Sequence, residues 1–108
     1  MVVATDLPCS TRQLKRILKR CSVGLARLGS FVGHGSGEIM IGFSTARRIP
    51  HAPTQDILDC QEISEERIDL CFRAVAEATE EAVLNSMVCA SPSQRLDGQI
   101  VHSLREFL

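Results

Sequence analysis

The run Ile39-Met40-Ile41-Gly42-Phe43 lacks the polar alternation of a strand with one wet face. Side chains along a strand point alternately to its two faces, so a strand like this one must be covered on both. That requirement limits the possible folds more than any other feature of the chain. At 108 residues the chain has the length of a single domain, 1–108, and its core must come from Leu, Ile, Val and Ala, since it has no Trp, no Tyr and four Phe. A sheet of two or three strands does not by itself shelter a member that is apolar on both faces. The expectation is therefore a portion of a larger body.

The rest of the chain reads as alternating strands and helices. Met1–Thr5, ended by Asp6, Leu7 and Pro8, reads as a strand closed by a turn. Ser10 is a favoured helix N-cap, and Leu14, Ile17, Leu18, Cys21 and Leu25 follow at helical spacing, with Gly24 and Gly29 limiting the run. Arg12, Lys15, Arg16, Lys19 and Arg20 fall on the other side, which reads as a solvated basic face. Residues 29–37 hold four glycines and two serines, a loop that takes unusual angles or lets something approach closely. Residues 46–63, where Pro50 and Pro53 flank His51, read as a polar connection. Ser64 is expected to cap a long helix opened by Glu65 and Glu66 and reaching about Cys89, before Pro92. Its stripe is Ile68, Cys71, Phe72, Val75, Ala78, Ala82 and Val83, widened by Leu70, Ala74 and Ala76, and Ile100–Leu104 reads as a last short strand. The fold class is α+β.

Net charge is −1, but residues 1–48 carry eight basic side chains against two acids and residues 49–108 four against eleven. The halves can neutralise each other or face a partner. The basic helix has no interleaved aromatics to stack on bases, so no nucleic-acid partner is expected, and a basic-helix binding module is the weakest reading. No apolar run approaches the roughly 18 residues of a membrane span, and no basic segment precedes the first apolar residues as in a secretory signal. Five widely spaced cysteines without a CxxC pair suit neither a disulfide framework nor a zinc site. They read as small buried hydrophobes in a reducing cytosol.

Among motifs that carry chemistry, Gly33-His34-Gly35-Ser36-Gly37-Glu38 suggests a phosphate cradle, but a strand follows it where a helix is needed. As a nucleophile elbow it fails in register; Gly42-Phe43-Ser44-Thr45-Ala46 comes closer but leads into a polar connection. The spacing of His34, His51 and His102 supports neither a metal site nor a serine–histidine relay. What the loop offers is a hydroxyl and a carboxylate at i and i+2, which in an extended segment point the same way. Ser36 and Glu38 should therefore converge, either on a reacting group or merely on local backbone.

Six blocks together carry a family resemblance: Ala4-Thr5-Asp6-x-Pro8; Gln13-Leu14-Lys15-Arg16; Gly24-Leu25-Ala26-Arg27-x-Gly29-Ser30; Gly33-x-Gly35-Ser36-Gly37-Glu38-Ile39; Phe43-Ser44-Thr45-Ala46; and Ala78-Thr79-Glu80-Glu81-Ala82-Val83-x-Asn85. In order and spacing the chain resembles the DmpA-like aminopeptidases, the L-aminopeptidase/D-esterases and β-aminopeptidases of peptidase family S58. The resemblance implies an αββα sandwich made from one precursor that cuts itself into two chains. The new N-terminal Ser of the smaller chain is then the nucleophile, its α-amino group the base, and an acyl-enzyme the intermediate. It further implies that this sequence is the smaller, C-terminal portion, with the nucleophile expected just upstream of Met1. Ser36 and Glu38 match positions beside that nucleophile and are the supporting catalytic candidates. The large chain, with much of the substrate pocket and the oxyanion donor, is the expected partner, or else a second copy. The substrate is expected to be a peptide or amino-acid amide, with no cofactor and no metal. The competing expectation is a non-catalytic interaction protein that retains the fold.

Overall fold

The computed structural model describes residues 1–52 and 54–108; Pro53, in the expected polar connection, lies outside the described residues. Two strands, β1 (Val2–Thr5) and β2 (Ile41–Ser44), pair in parallel, with Val2 opposite Ile41 and Thr5 opposite Ser44. Between them run α1 (Thr11–Leu18) and α2 (Cys21–Arg27), and after β2 comes the long α3 (Ile68–Cys89). The chain ends in a small hairpin of β3 (Ser93–Gln94) and β4 (Ile100–Val101), then a 3₁₀ turn over Leu104–Phe107. The expected strand Ile100–Leu104 thus stops at Val101, because its pairing partner has only two residues.

The three helices lie on one side of the β1–β2 sheet. Ile17, Cys21, Ile68 and Val75 form the core, with Val3, Met40, Ile63 and Phe72 packed against them. Leu18 lies on Gly42, where a Cβ would stand 2.8 Å from its Cδ2. The other face of the sheet is bare. Val2 is 68% exposed, Ile41 60% and Phe43 51%, and the preceding Ile39 is 73% exposed. The register puts Val2 opposite Ile41 and Ala4 opposite Phe43, so these side chains share one apolar surface. The molecule measures 60 × 33 × 28 Å with a radius of gyration of 18.4 Å. A closed domain of this length has a radius of gyration of about 13 Å. The doubly apolar strand is thus covered on one face only.

Ser10 caps α1 in a capping box, accepting from the Gln13 amide while Gln13 Oε1 accepts from the Ser10 amide. The same Gln13, fully buried, donates from Nε2 to Ile63 O at 2.8 Å and to Glu65 Oε1 at 3.1 Å. One side chain therefore ties the first helix to the approach to the third. The helix expected to continue past Leu18 breaks there instead. The Arg20 guanidinium donates to Arg16 O, and the Arg20 amide turns back to Ile17 O. Ser64 makes no cap hydrogen bond, and a 3₁₀ turn over Glu65–Arg67 precedes α3. Glu65 is drawn sideways to Arg12, Arg16 and Gln13 rather than to the helix terminus.

The basic face is consequently only partly solvated. Arg12 and Arg16 meet Glu65, Arg27 meets Glu80 at 3.0 Å, and Arg20 lies 3.8 Å over the Phe72 ring. Among the described residues, three ion pairs join the oppositely charged halves of the chain along this seam. The cysteines are all free, but only Cys21 is buried, with Cys9 and Cys71 half-buried and Cys60 and Cys89 exposed. Beyond β2, Ser44 Oγ donates to Leu7 O at 2.6 Å and Thr45 Oγ1 to Thr5 O at 3.3 Å. The Thr45 amide also bonds Thr5 O at 2.8 Å, so the far ends of the strands are lashed together.

Gly24 allows α2 and α3 to approach closely: a Cβ there would stand 2.4 Å from Ala76 O and 2.8 Å from Thr79 Cβ. Backbone on both sides leaves little room to yield. Gly24→Val should cost about 1–3 kcal/mol, visible as a fall in Tm of several degrees; an unchanged Tm would show that the helices part freely.

The Glu65 carboxyl is held below its ordinary value, first by the Gln13 hydrogen bond and next by Arg12. A lowered folded-state pKa adds stability above the unfolded value and loses it as the pH falls through the folded one. Glu65 remains nearly half exposed, so solvent screens the cluster. Glu65→Gln should therefore flatten the decline of Tm with acidity below about pH 5, while an acid limb of unaltered slope would count against the cluster's role.

Candidate active site

The site candidates lie where the glycine-rich loop enters β2. Gly29, at φ +93°, ends α2 in the left-handed conformation open to glycine, and its amide closes onto Ala26 O at 3.0 Å. From there the chain runs through residues 30–40 without regular structure, apart from a turn in which the Ser36 amide bonds Gly33 O at 2.9 Å. Ser36 and Glu38 do meet. The Ser36 hydroxyl donates to Glu38 Oε1, with Ser36 exposed and Glu38 half-buried.

β1 starts beside this pair. The Met1 nitrogen donates to Ile39 O at 2.6 Å, and the Ile41 amide returns the bond to Met1 O at 3.1 Å. The head of β1 is thereby fixed within one residue of Glu38. Chemically, the arrangement is a hydroxyl held by a carboxylate at the end of a strand. The carboxylate orients the hydroxyl proton toward itself and leaves the oxygen lone pairs free to accept from a neighbouring donor.

The other serine candidate falls away. Ser44 donates to Leu7 O and accepts from the Ala46 amide, so its hydroxyl is spent on holding the strands. Among the described residues no histidine hydrogen-bonds to Ser36. His102 pairs with Glu106 at 2.6 Å near the C-terminus, and His34 sits in the loop turn itself. Burial, and then Cys71 and Glu62, push the Cys9 thiol up, which keeps it protonated and poorly nucleophilic.

Phe31 and Val32 also belong to this region and were not singled out by spacing. With Ser36 they line a hollow of about 400 Å³. Their signal in the sequence is two large apolar residues inside a glycine- and serine-rich loop, with no periodicity linking them to a core.

The profile of Peptidase family S58 matches residues 1–101. The β-peptidyl aminopeptidase BapA of Sphingosinicella microcystinivorans is 34% identical over 104 residues, which span 96% of this chain and 26% of that protein. Two solved structures superpose closely. The PH0078 protein of Pyrococcus horikoshii OT3 gives a TM-score of 0.88 at 38% identity, over 98% of this chain and 30% of that one. The L-aminopeptidase D-Ala-esterase/amidase of Ochrobactrum anthropi gives 0.85 at 35% identity, over 95% and 30%. That enzyme is described as a prototype for the serine aminopeptidases and a new variant of the Ntn hydrolase fold. The chain thus spans about a quarter of its curated relative and under a third of the solved structures. Its fold class is α+β of the N-terminal-nucleophile-hydrolase type, with helices and sheet forming part of an αββα sandwich. Fold, sequence profile and relatives agree: the chain belongs to peptidase family S58, a family of aminopeptidases.

Proposed function

We propose that this chain is the C-terminal, small-subunit portion of a serine aminopeptidase that releases N-terminal amino acids from amides, esters or short peptides. The observation that carries the reading is the Ser36–Glu38 pair at the head of β1. In the β1–β2 register, partners differ by 39 positions, as in Val2 and Ile41. Carried back past Met1, that register sets the preceding residues alongside Ile39, Glu38 and then the loop. A serine there, exposed as a chain N-terminus by self-cleavage of the precursor, would sit against the pair.

The chemistry follows from these groups. The serine hydroxyl attacks the scissile carbonyl while its own α-amino group takes the proton. An α-amino group has an ordinary pKa of about 7.7–8.0, close to what a general base at neutral pH requires. The resulting ammonium is positive, and Ser36 Oγ, turned outward by Glu38, accepts a hydrogen bond from it, while the Glu38 charge offsets its own. The ammonium then protonates the leaving amine or alcohol as the acyl-enzyme forms, and water attacks the ester by the reverse transfer. The bare sheet face of Val2, Ala4, Ile41 and Phe43 is the surface for the remainder of the same precursor, in preference to a second copy.

In the full-length protein, Ser36→Ala and Glu38→Gln should each lower kcat/KM on an amino-acid p-nitroanilide by about 10²-fold or more. The comparison is made at equal cleaved fraction, determined by intact mass, and with Tm unchanged. Retention of wild-type turnover by either variant would reduce the pair to a loop-shaping contact. A full-length protein without any hydrolase activity would favour the non-catalytic interaction reading.

A further inference from the structure

We propose that the hollow bounded by Phe31, Val32 and Ser36 receives an apolar group of the substrate beside the scissile carbonyl, with Phe31 as the residue that sets the preference. This rests on the aminopeptidase reading above. Val32 lies at φ +52°, a conformation that β-branched residues avoid. Strain of this kind persists where the surroundings hold a functional shape. Its amide is held by Ser30 Oγ at 3.3 Å. The Phe31 ring is 89% exposed, so its apolar surface is open to an occupant. It lies beside Gly33, where a Cβ would come within 2.7 Å of its Cε2.

The turn from Gly33 to Ser36 then folds the loop back on itself. Residues 29–33, Gly35 and Ser36 line one open hollow of about 400 Å³. That volume lies within the range of small-molecule sites, about 300–1,000 Å³. Among the described residues no charged side chain lines it, and its large side chains are Phe31 and Val32. An uncharged, apolar occupant matches such walls. Ser36 belongs to both the hollow and the pair with Glu38, so a group held against Phe31 lies next to the reacting centre.

The test uses the full-length protein, with alanine, leucine and phenylalanine p-nitroanilides as substrates. Leucinol and alaninol serve as non-hydrolysable ligands in calorimetry. In Phe31→Ala, KM for the leucine and phenylalanine substrates should rise about tenfold and leucinol binding weaken equally, with kcat and the alanine substrate within about twofold of wild type. Phe31→Leu should restore most of the loss. An unchanged leucine-to-alanine preference in Phe31→Ala would overturn the proposal. A lower Tm with unchanged preference would also overturn it, assigning the ring to packing against the rest of the protein. Absent hydrolysis with Phe31-dependent leucinol binding would remove the aminopeptidase reading and leave the hollow standing; absence of both would remove both.

Discussion

The parallel register of β1 and β2 is the constraint on which the site depends. A shift of one residue would turn Val3 and Thr5 outward and bring Val2 and Ala4 under the helices. On the helical side Gly42 lies beneath Leu18, where an added Cβ would stand 2.8 Å from Leu18 Cδ2 and 3.1 Å from Val3 O. The register is therefore set by packing on the helical side, far from the loop. Its effect is felt at the loop, because a fixed register brings Ile39 to the Met1 nitrogen and so brings Glu38 and Ser36 to the head of β1.

Much of this was legible in the sequence, and the failures share a cause. The first strand, the Ser10 cap and the long helix come from local signals, which short-range physics enforces. The convergence of Ser36 and Glu38 follows from their i, i+2 spacing, while their catalytic assignment came from family resemblance. What could not be read were competitions between distant groups. Ser64 has the right chemistry for a cap, but Glu65 next to it is claimed by Arg12 and Arg16, about fifty positions away in the chain. The first helix ends at Leu18 with the Arg20 amide turned back to Ile17 O, a local geometry that apolar periodicity does not encode. Phe31 belongs to no apolar repeat, and its 89% exposed ring packs into no core that periodicity could signal.

The energetic asymmetry of the sheet links folding to chemistry. Covering an apolar side chain such as Val2, Ile39, Ile41 or Phe43 is worth about 1.5–3 kcal/mol, and whole domains are stable by only about 5–15 kcal/mol. Leaving that face in water forfeits a comparable amount. The strands that carry the site are thus the ones that most need a second layer, so assembly and completion of the site concern the same few residues.

The bonds from Ser44 and Thr45 to the end of β1 have a mechanical consequence. They clamp the two-strand ladder at its far end, whereas the near end is held at Met1 and Ile39 and runs into a glycine-rich loop. The far end carries side-chain bonds besides the backbone ladder and the near end backbone bonds alone, and local opening begins where the fewest bonds must break together. Amide protection along β2 is then expected to rise from Ile41 toward Ser44. Local opening is then expected to concentrate where the glycine-rich loop meets β2, beside Ser36 and Glu38.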